Sequence, residues 1–214
     1  MGELKIGRIV LGVNATNCYF VYREGEDKVL FFDPADEGEL IYQKLKEKGF
    51  SVAAIILTHG HFDHIYGLKA LKEKCSAKVY ACESERELLA DPQMNVSELF
   101  GRATIVEPDI TFRNGELLEI AGVQTRVIAT PGHTAGSCCF YFEEGGFLVC
   151  GDTLFQESTG RTDFPTGSTS QLVRSIQEKL FTLPGDTLVF PGHGGSTTIE
   201  HEKKYNPLVG EMAY

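Results

Sequence analysis

The chain lacks the segments that mark membrane and secreted proteins. None of its apolar runs approaches the roughly 18 residues that a membrane-spanning helix needs. Its N-terminus, Met1-Gly2-Glu3-Leu4-Lys5, has neither the charged start nor the apolar core of a secretory signal peptide. We therefore expect a cytoplasmic protein that has no membrane partner.

Positive charge is also scarce. The formal net charge of the 214 residues is −10, and an acidic chain is not attracted to the phosphates of nucleic acids or to anionic lipid surfaces. We therefore expect no nucleic-acid partner. The six cysteines form no C-x-x-C pair and lie mostly in apolar segments, which favours buried free thiols in a reducing compartment over disulfides or a metal cluster.

A further absence concerns catalysis. The chain has no G-x-S-x-G sequence, which would place a nucleophilic serine on a sharp turn between a strand and a helix. Hydrolysis by this chain would therefore need another source of the attacking group.

The sequence does contain a cluster of side chains of the kind that bind metals. The stretch Thr58-His59-Gly60-His61-Phe62-Asp63-His64 packs three of the six histidines and one carboxylate into seven residues. It follows an unbroken apolar run at 52–57, which is typical of a buried strand. Imidazole and carboxylate together are ligands for zinc, iron or manganese. A chance cluster on a solvated turn is the alternative, but four such side chains at the end of a buried strand favour a metal site.

Three later segments repeat this layout of an apolar strand, a tight turn and a ligand-type residue. His133 follows Pro131-Gly132, Asp152 follows Gly151, and His193 follows Pro191-Gly192. Open sheets commonly build sites at strand ends, so we expect these side chains to meet the first motif. His133 or His193 alone could equally be a histidine in a glycine turn, and the repetition decides for ligands. His201, on a charged terminal helix, is expected to be a surface residue.

The order of predicted elements recurs in each half of the chain, as several strands followed by helix, strand and helix. This recurrence favours an α/β fold in which two sheet-and-helix layers stack sheet to sheet. The length of 214 residues allows one large domain or two small ones. The predicted helices cover 37–48, 65–74, 83–90 and 199–205, together with an amphipathic helix for which Ser170 is the expected N-cap. Residues 93–108 are expected to form a loop with one helical turn.

The motifs together resemble the metallo-β-lactamase superfamily. T-H-G-H-F-D-H, P-G-H-T at 131–134, G-D at 151–152 and G-H-G at 192–194 occur in the family's order over nearly the whole chain. The resemblance implies a four-layer αββα sandwich with two metals between the sheet edges. His59, His61 and His133 would hold the first metal, and Asp63, His64 and His193 the second. Asp152, whose carboxylate could bridge two cations, would be shared between them.

Finer motifs resemble the glyoxalase II (hydroxyacylglutathione hydrolase) branch, above all its short, single-domain hydrolases. These share the run 160–165 and the terminal Asn206-Pro207. The expected organisation is thus one hydrolase domain over 1–214, without the C-terminal helical region that grips glutathione in glyoxalase II proper. The run 160–164 also resembles persulfide dioxygenases, which use one iron, so that activity is the alternative. An inactive metal-binding scaffold is a weaker one.

The resemblance implies a thioesterase that uses two divalent metal ions per chain, with zinc expected first and iron or manganese also accepted by this ligand set. A metal-bridging hydroxide would attack a small-molecule thioester, of which lactoyl-glutathione is the first suggestion. Asp63 and Asp152 are the candidate catalytic residues. Arg161 is the candidate for binding a substrate carboxylate, and a structural pairing with Asp163 is its equal alternative. The sequence does not indicate an oligomeric state.

Overall fold

The computed structural model describes residues 2–211 and 213, and its first sheet has six strands in chain order. These strands are Leu4–Leu11 (β1), Thr16–Arg23 (β2), Lys28–Phe32 (β3), Ser51–Ile56 (β4), Lys78–Cys82 (β5) and Ile110–Phe112 (β6). The first three pair antiparallel, and β3 to β6 run parallel. Parallel strands need crossover connections, and helices supply those after β3 and β4.

The second sheet also has six strands, and it is built mainly from hairpins. Its first four strands are Leu117–Ile120 (β7), Val123–Ala129 (β8), Cys138–Phe142 (β9) and Phe147–Gly151 (β10). A separate ribbon of Leu154–Phe155 (β11) and Ser158–Thr159 (β12) follows, and Leu188–Pro191 (β13) and Thr197–Thr198 (β14) then complete the sheet. The spatial order is β14-β13-β10-β9-β8-β7, in which only the β10–β13 pair is parallel.

The helices cover the outer faces of both sheets. They are Gly38–Glu47 (α1), Phe62–Ile65 (α2), Leu68–Cys75 (α3), Arg86–Ala90 (α4), Thr169–Glu178 (α5) and Ile199–Tyr205 (α6), with 3₁₀ turns at Glu83–Glu85 and Leu180–Thr182. None of the helices in the described part of the chain has the length and apolar character needed to cross a bilayer.

Three apolar clusters separate the four layers. The central cluster lies between the sheets and joins Phe32 and Phe112 of the first sheet to Phe140 and Phe142 of the second. The outer clusters pack α1 and α3 on the first sheet and α5 and α6 on the second. The α/β class and the αββα sandwich expected from the resemblance are confirmed.

Two local predictions are wrong. The single helix expected at 65–74 is two helices, α2 and α3, separated around Gly67. The backbone N–H of Gly67 donates to Pro34 O at 2.8 Å, and a Cβ there would lie 2.6 Å from Asp36 O, so this close packing interrupts the helix. The residue at the N-cap of α5 is Ser168, not Ser170, and its side chain makes no capping hydrogen bond. Residues 93–108 form the expected loop, and its turns, such as the one closed by Gly101 N and Glu98 O at 3.0 Å, do not extend into a helix.

Backbone hydrogen bonds join the two sheets at the edge where the predicted ligands emerge. Cys138 N donates to Thr58 O at 2.9 Å, beside the first motif, and Asn17 N donates to Gly192 O at 2.8 Å, beside His193. Because each bond links a strand end of one sheet to the other, ligands from both sheets are held at one place.

Candidate metal centre

The first group of ligand atoms comes from three neighbouring histidines. His59 and His61 follow β4, and His133 follows β8 across a turn at Gly132. His133 Nε2 lies 2.8 Å from His61 Nδ1 and 3.2 Å from His59 Nε2. All three side chains are buried, so the three nitrogens converge on one point away from bulk water.

The hydrogen bonds of the other ring nitrogens fix which atoms carry free lone pairs. His133 Nδ1 lies 2.7 Å from Arg161 O, a carbonyl that can only accept, so Nδ1 carries the proton. Thr58 Oγ1 donates to Asp33 Oδ2 and thus accepts from His59 Nδ1 at 3.1 Å. The Nε2 lone pairs of His59 and His133 therefore face each other, and a cation bound between them would stabilise this arrangement.

The second group adds carboxylates and lies beside the first. His193 Nε2 is 3.3 Å from Asp63 Oδ2 and 3.4 Å from Asp152 Oδ2. His64 Nε2 lies 3.4 Å from Asp152 Oδ1, and His133 Nε2 lies 3.6 Å from Asp152 Oδ2. The Asp152 carboxylate thus lies between the two histidine groups and within reach of both.

Two buried atoms in this group have no hydrogen-bond partner. They are His64 Nε2 and Asp152 Oδ1, which face each other. Asp33 Oδ2 accepts a hydrogen bond from His64 Nδ1 at 3.0 Å, so the neutral ring of His64 presents its Nε2 lone pair to an anionic oxygen. Orphaned buried polar atoms of this kind are rare in native proteins, and a cation bound between them would satisfy both. The donor set therefore fits divalent metal ions.

The electrostatics of the two groups differ. Burial lowers the pKa of His59, His61 and His133, that of His61 to about 3, so these rings are neutral and available as ligands. Burial also acts to lower the pKa of His193, but hydrogen bonding to Asp152 and Asp63 outweighs it and raises this pKa to about 9. The carboxylates of the second group therefore stabilise positive charge at this place, and a metal ion would supply that charge instead of a proton.

Asp33 is a functional residue that the sequence prediction missed. It is 2% exposed and accepts from Thr58 N at 2.8 Å in addition to the bonds of Thr58 Oγ1 and His64. It therefore orients the metal motif at its start and at its end, as carboxylates behind metal-binding histidines commonly do. The sequence did contain a sign of this role, because Asp33 directly follows the apolar strand β3, just as the predicted ligands follow their own strands.

Glu85 is a second buried carboxylate that the prediction missed. It is 1% exposed, and its two oxygens accept from Gly60 N and Gly136 N, each at 2.8 Å. Gly60 lies between His59 and His61, and Gly136 lies in the loop of His133. Glu85 thus ties together the two loops that carry the first ligand group. No sequence pattern distinguishes Glu85 from the other acidic residues at 83–87.

A cavity of about 440 Å³ opens over the ligand atoms. His61, Asp63, His133, Asp152 and His193 reach its wall, together with Asn14, Ser158 and Thr159 and four phenylalanines. Asn14 Nδ2 donates to Asp63 Oδ2 at 2.9 Å and so orients that carboxylate. Concave sites with apolar walls and a few convergent polar groups are typical of small-molecule sites.

The predicted site residues are all found at this cavity or directly beneath it. The seven predicted metal ligands His59, His61, Asp63, His64, His133, Asp152 and His193 are brought together as two adjacent groups. Arg161 lies on the cavity wall, where its guanidinium makes two hydrogen bonds of 2.7 Å to Asp163. His201 lies elsewhere, half-buried and 3.0 Å from Glu157 Oε1.

Comparison of the sequence with models of known protein families agrees with this geometry. A sequence model described as the metallo-beta-lactamase superfamily matches residues 11–193. The chain belongs to the metallo-beta-lactamase superfamily. The match contains both ligand groups, from β1 to His193, so the resemblance drawn from the motifs is confirmed.

Relatives within the superfamily carry hydrolase names. A probable metallo-hydrolase, YqgX of Bacillus subtilis, is 39% identical over 208 residues and covers 96% of this chain and 98% of its own. The hydroxyacylglutathione hydrolase GloC of Haemophilus influenzae is 33% identical over 200 residues, covering 92% of this chain and 94% of its own.

Solved structures of the superfamily are similar over almost the whole chain. The BLEG-1 B3 metallo-beta-lactamase has a TM-score of 0.91 at 38% identity and covers 96% of this chain and 99% of its own. TTHA1623, solved in a di-iron-bound form, has a TM-score of 0.84 at 31% identity and covers 94% of this chain and 99% of its own. The chain is thus a metallohydrolase-type member of the superfamily with a His/Asp metal-binding cluster.

Proposed function

We propose that this chain is a binuclear metallohydrolase that cleaves thioesters, of the hydroxyacylglutathione hydrolase (glyoxalase II) type. The observation that carries the proposal is the pair of adjacent ligand groups with Asp152 between them. One histidine group with an open face would serve many metal reactions. Two groups that share a carboxylate are typical of hydrolases that activate water with two cations.

The assignment of ligands follows the geometry. His59, His61 and His133 would hold one divalent ion, Asp63, His64 and His193 would hold the other, and Asp152 would contact both. Zinc is the expected metal, and iron or manganese also suit imidazole and carboxylate. Such a pair of ions supplies water of lowered pKa at neutral pH and polarises the carbonyl of the substrate.

The protein's own side chains position the reaction. Asp63 and Asp152 present carboxylates to the floor of the cavity, where they can orient the attacking water and accept its proton. Asn14 holds Asp63 through a hydrogen bond of 2.9 Å. The oxygen of water bonds to the acyl carbon and the C–S bond breaks. One proton of the water leaves with the thiol, the other is released to solvent, and the acyl group becomes a carboxylate, so atoms and charge balance with no oxidant.

Arg161 is proposed to bind a carboxylate of the thiol part of the substrate. Its pairing with Asp163 is exposed, at 54% and 66% of the two side chains, and exposed ion pairs contribute only about 0–1 kcal/mol. A substrate carboxylate can therefore replace Asp163 at little cost. Asp163→Ala would then lower the KM for a carboxylate-bearing thioester, whereas Arg161→Ala would raise it.

The proposal also covers the number of domains and the cellular location of the protein. The two sheets share one central apolar cluster, which supports a single hydrolase domain over 1–214. All six cysteines are free thiols, as expected in the reducing cytoplasm.

The deciding experiment measures the metal content of the protein as purified and compares three reactions of that protein and of its zinc-loaded form. We expect release of glutathione from S-lactoylglutathione, followed with a thiol reagent, and no oxygen uptake with glutathione persulfide. A β-lactam reporter is the third substrate, because the similar BLEG-1 is named a metallo-beta-lactamase. Oxygen uptake by protein carrying one iron would instead support the persulfide dioxygenase alternative. Activity on the β-lactam alone would also reject the proposal. Inactivity on all three substrates would support the alternative of an inactive metal-binding scaffold.

Single-residue variants test the two-metal character of the site. Asp63→Ala and His193→Ala each remove a ligand of the second group, so both should lose the second metal and most of the hydrolysis. His201→Ala is the matched control, because His201 is a histidine outside both groups. Full activity in either ligand variant would reject the two-metal mechanism.

A further inference from the structure

Aromatic rings line the cavity on three sides of the ligand groups. Phe164 lies edge-on to His61, with ring centroids 5.5 Å apart, and Phe155 lies edge-on to His193 at 6.1 Å. Phe62 and Phe100 form the third side, stacked at 4.0 Å with an interplanar angle of 14°. We call these four phenylalanines the aromatic collar. The collar is part of the wall of the cavity that opens over the ligand atoms.

The collar is poor in partners for a polar acyl group. Apart from the ligand groups, the polar side chains on the cavity wall are Asn14, Ser158, Thr159 and Arg161. Asn14 is engaged with Asp63. Arg161 is engaged with Asp163, and its guanidinium lies 3.8 Å from the ring centroid of Phe164. Four of the eight other residues on the wall are phenylalanines, and their aromatic surface gains free energy when an apolar group covers it.

Phe100 is the member of the collar with the most surface left to cover. Phe62 is 3% exposed, whereas Phe100 is 50% exposed on a loop that is tied down by Asn95. Asn95 O accepts from Phe62 N at 3.0 Å, and Asn95 Nδ2 donates to Thr104 O at 2.9 Å. The loop therefore holds the Phe100 ring over the cavity as part of the wall.

We propose that the cavity selects thioesters with a bulky apolar acyl group, aromatic or branched, and that Phe100 determines this preference. The inference rests on the proposed thioester hydrolysis, and it replaces the small lactoyl group with a larger apolar one as the preferred acyl class. The reaction is unchanged: the oxygen of water bonds to the acyl carbon and the C–S bond breaks. One proton of the water leaves with the thiol, and the other is released to solvent as the acid ionises. Covering about 60 Å² of ring surface corresponds to roughly tenfold tighter binding.

The test keeps the thiol constant and varies the acyl group. S-phenylacetylglutathione should be hydrolysed with a kcat/KM about tenfold or more above that of S-acetylglutathione and S-lactoylglutathione. Phe100→Ala should bring this ratio towards one. Leu99→Ala is the matched control, because Leu99 is 77% exposed on the same loop and does not line the cavity. A ratio near one in the wild-type protein, or an unchanged ratio in Phe100→Ala, overturns the inference.

A binding measurement separates this inference from the proposed function. The thioethers S-(2-phenylethyl)glutathione and S-ethylglutathione cannot be hydrolysed, and calorimetry compares their affinities for the zinc-loaded protein directly. Tighter binding of the phenylethyl compound, lost in Phe100→Ala, supports the preference of the collar for bulky apolar groups. If that binding is seen but no thioester is cleaved, the proposed thioesterase activity is rejected and the binding preference is kept. Equal or undetectable binding of both thioethers overturns the preference, while hydrolysis of S-lactoylglutathione would leave the thioesterase in place.

Discussion

Glu85→Gln tests whether one buried carboxylate holds the two loops of the first ligand group together. In the native protein both oxygens accept a backbone N–H, from Gly60 and Gly136. The amide keeps one acceptor and places an –NH₂ against the other N–H, so one buried donor loses its partner at a cost of about 1–3 kcal/mol. Loss of the negative charge contributes less to the change in stability near neutral pH. Burial raises the pKa of Glu85 to about 7, so about half of the molecules are already protonated there.

The pH dependence of this difference follows from the same pKa. Since the folded pKa lies above the ordinary value of 4.5, the stability that Glu85 contributes is greatest below pH 4.5 and falls as the pH rises through about 7. Glutamine does not titrate. The stability advantage of the wild-type protein over Glu85→Gln should therefore be about 1 kcal/mol smaller at pH 8 than at pH 6.

The assay is urea unfolding of the metal-free wild type and Glu85→Gln at both pH values, followed by zinc affinity in competition with a chelator. Glu83→Gln makes the same chemical change at an exposed carboxylate paired with Arg113, and it should leave zinc affinity unchanged. We expect Glu85→Gln to bind zinc more weakly as well. Unaltered stability and zinc affinity, or an advantage that grows with pH, would refute the reasoning.

Two further substitutions probe the support of the second ligand group. Asp33→Asn removes the anionic acceptor behind His64, and loss of such a partner typically lowers metal affinity about 10- to 100-fold, which chelator competition measures; an unchanged affinity would show that Asp33 does not orient the ligand. Gly192→Ala would place a Cβ 2.2 Å from Asp152 Oδ1, so the second metal should be lost. Gly195→Ala is its control, since its Cβ would meet only the flexible side-chain end of Gln156 at 3.1 Å, and equal metal content in the two variants would contradict this explanation.

The sequence predicts the architecture and the gathering of the ligand-type side chains, because both rest on local patterns. The apolar run before His59 and the glycine turns before His133, Asp152 and His193 mark strand ends, and strand ends fix where side chains emerge. The resemblance supplied which sheet edge they share. The division of the expected helix at 65–74 was not predicted, because it depends on the contact of Gly67 with the distant segment 34–36.

Residues that act through tertiary contacts were also missed. Glu85 stands in an acidic stretch, and its role arises only when two loops from different sheets meet its two oxygens. Phe100 lies in the segment 93–108, which has no periodic pattern, and its stacking on Phe62 depends on how that loop folds back. Local patterns thus identify which ligand-type side chains gather at the strand ends, whereas the side chains that hold or enclose them are set by contacts between distant segments.

Metal stoichiometry tests the central claim most directly. Protein freed of metal with a chelator, titrated with zinc and analysed by mass spectrometry under native conditions, should take up two ions per chain, and His193→Ala should take up one. Thiol release from S-lactoylglutathione should rise with the second ion. Saturation of the wild-type protein at one ion, or full hydrolysis with one ion bound, would contradict a binuclear hydrolase.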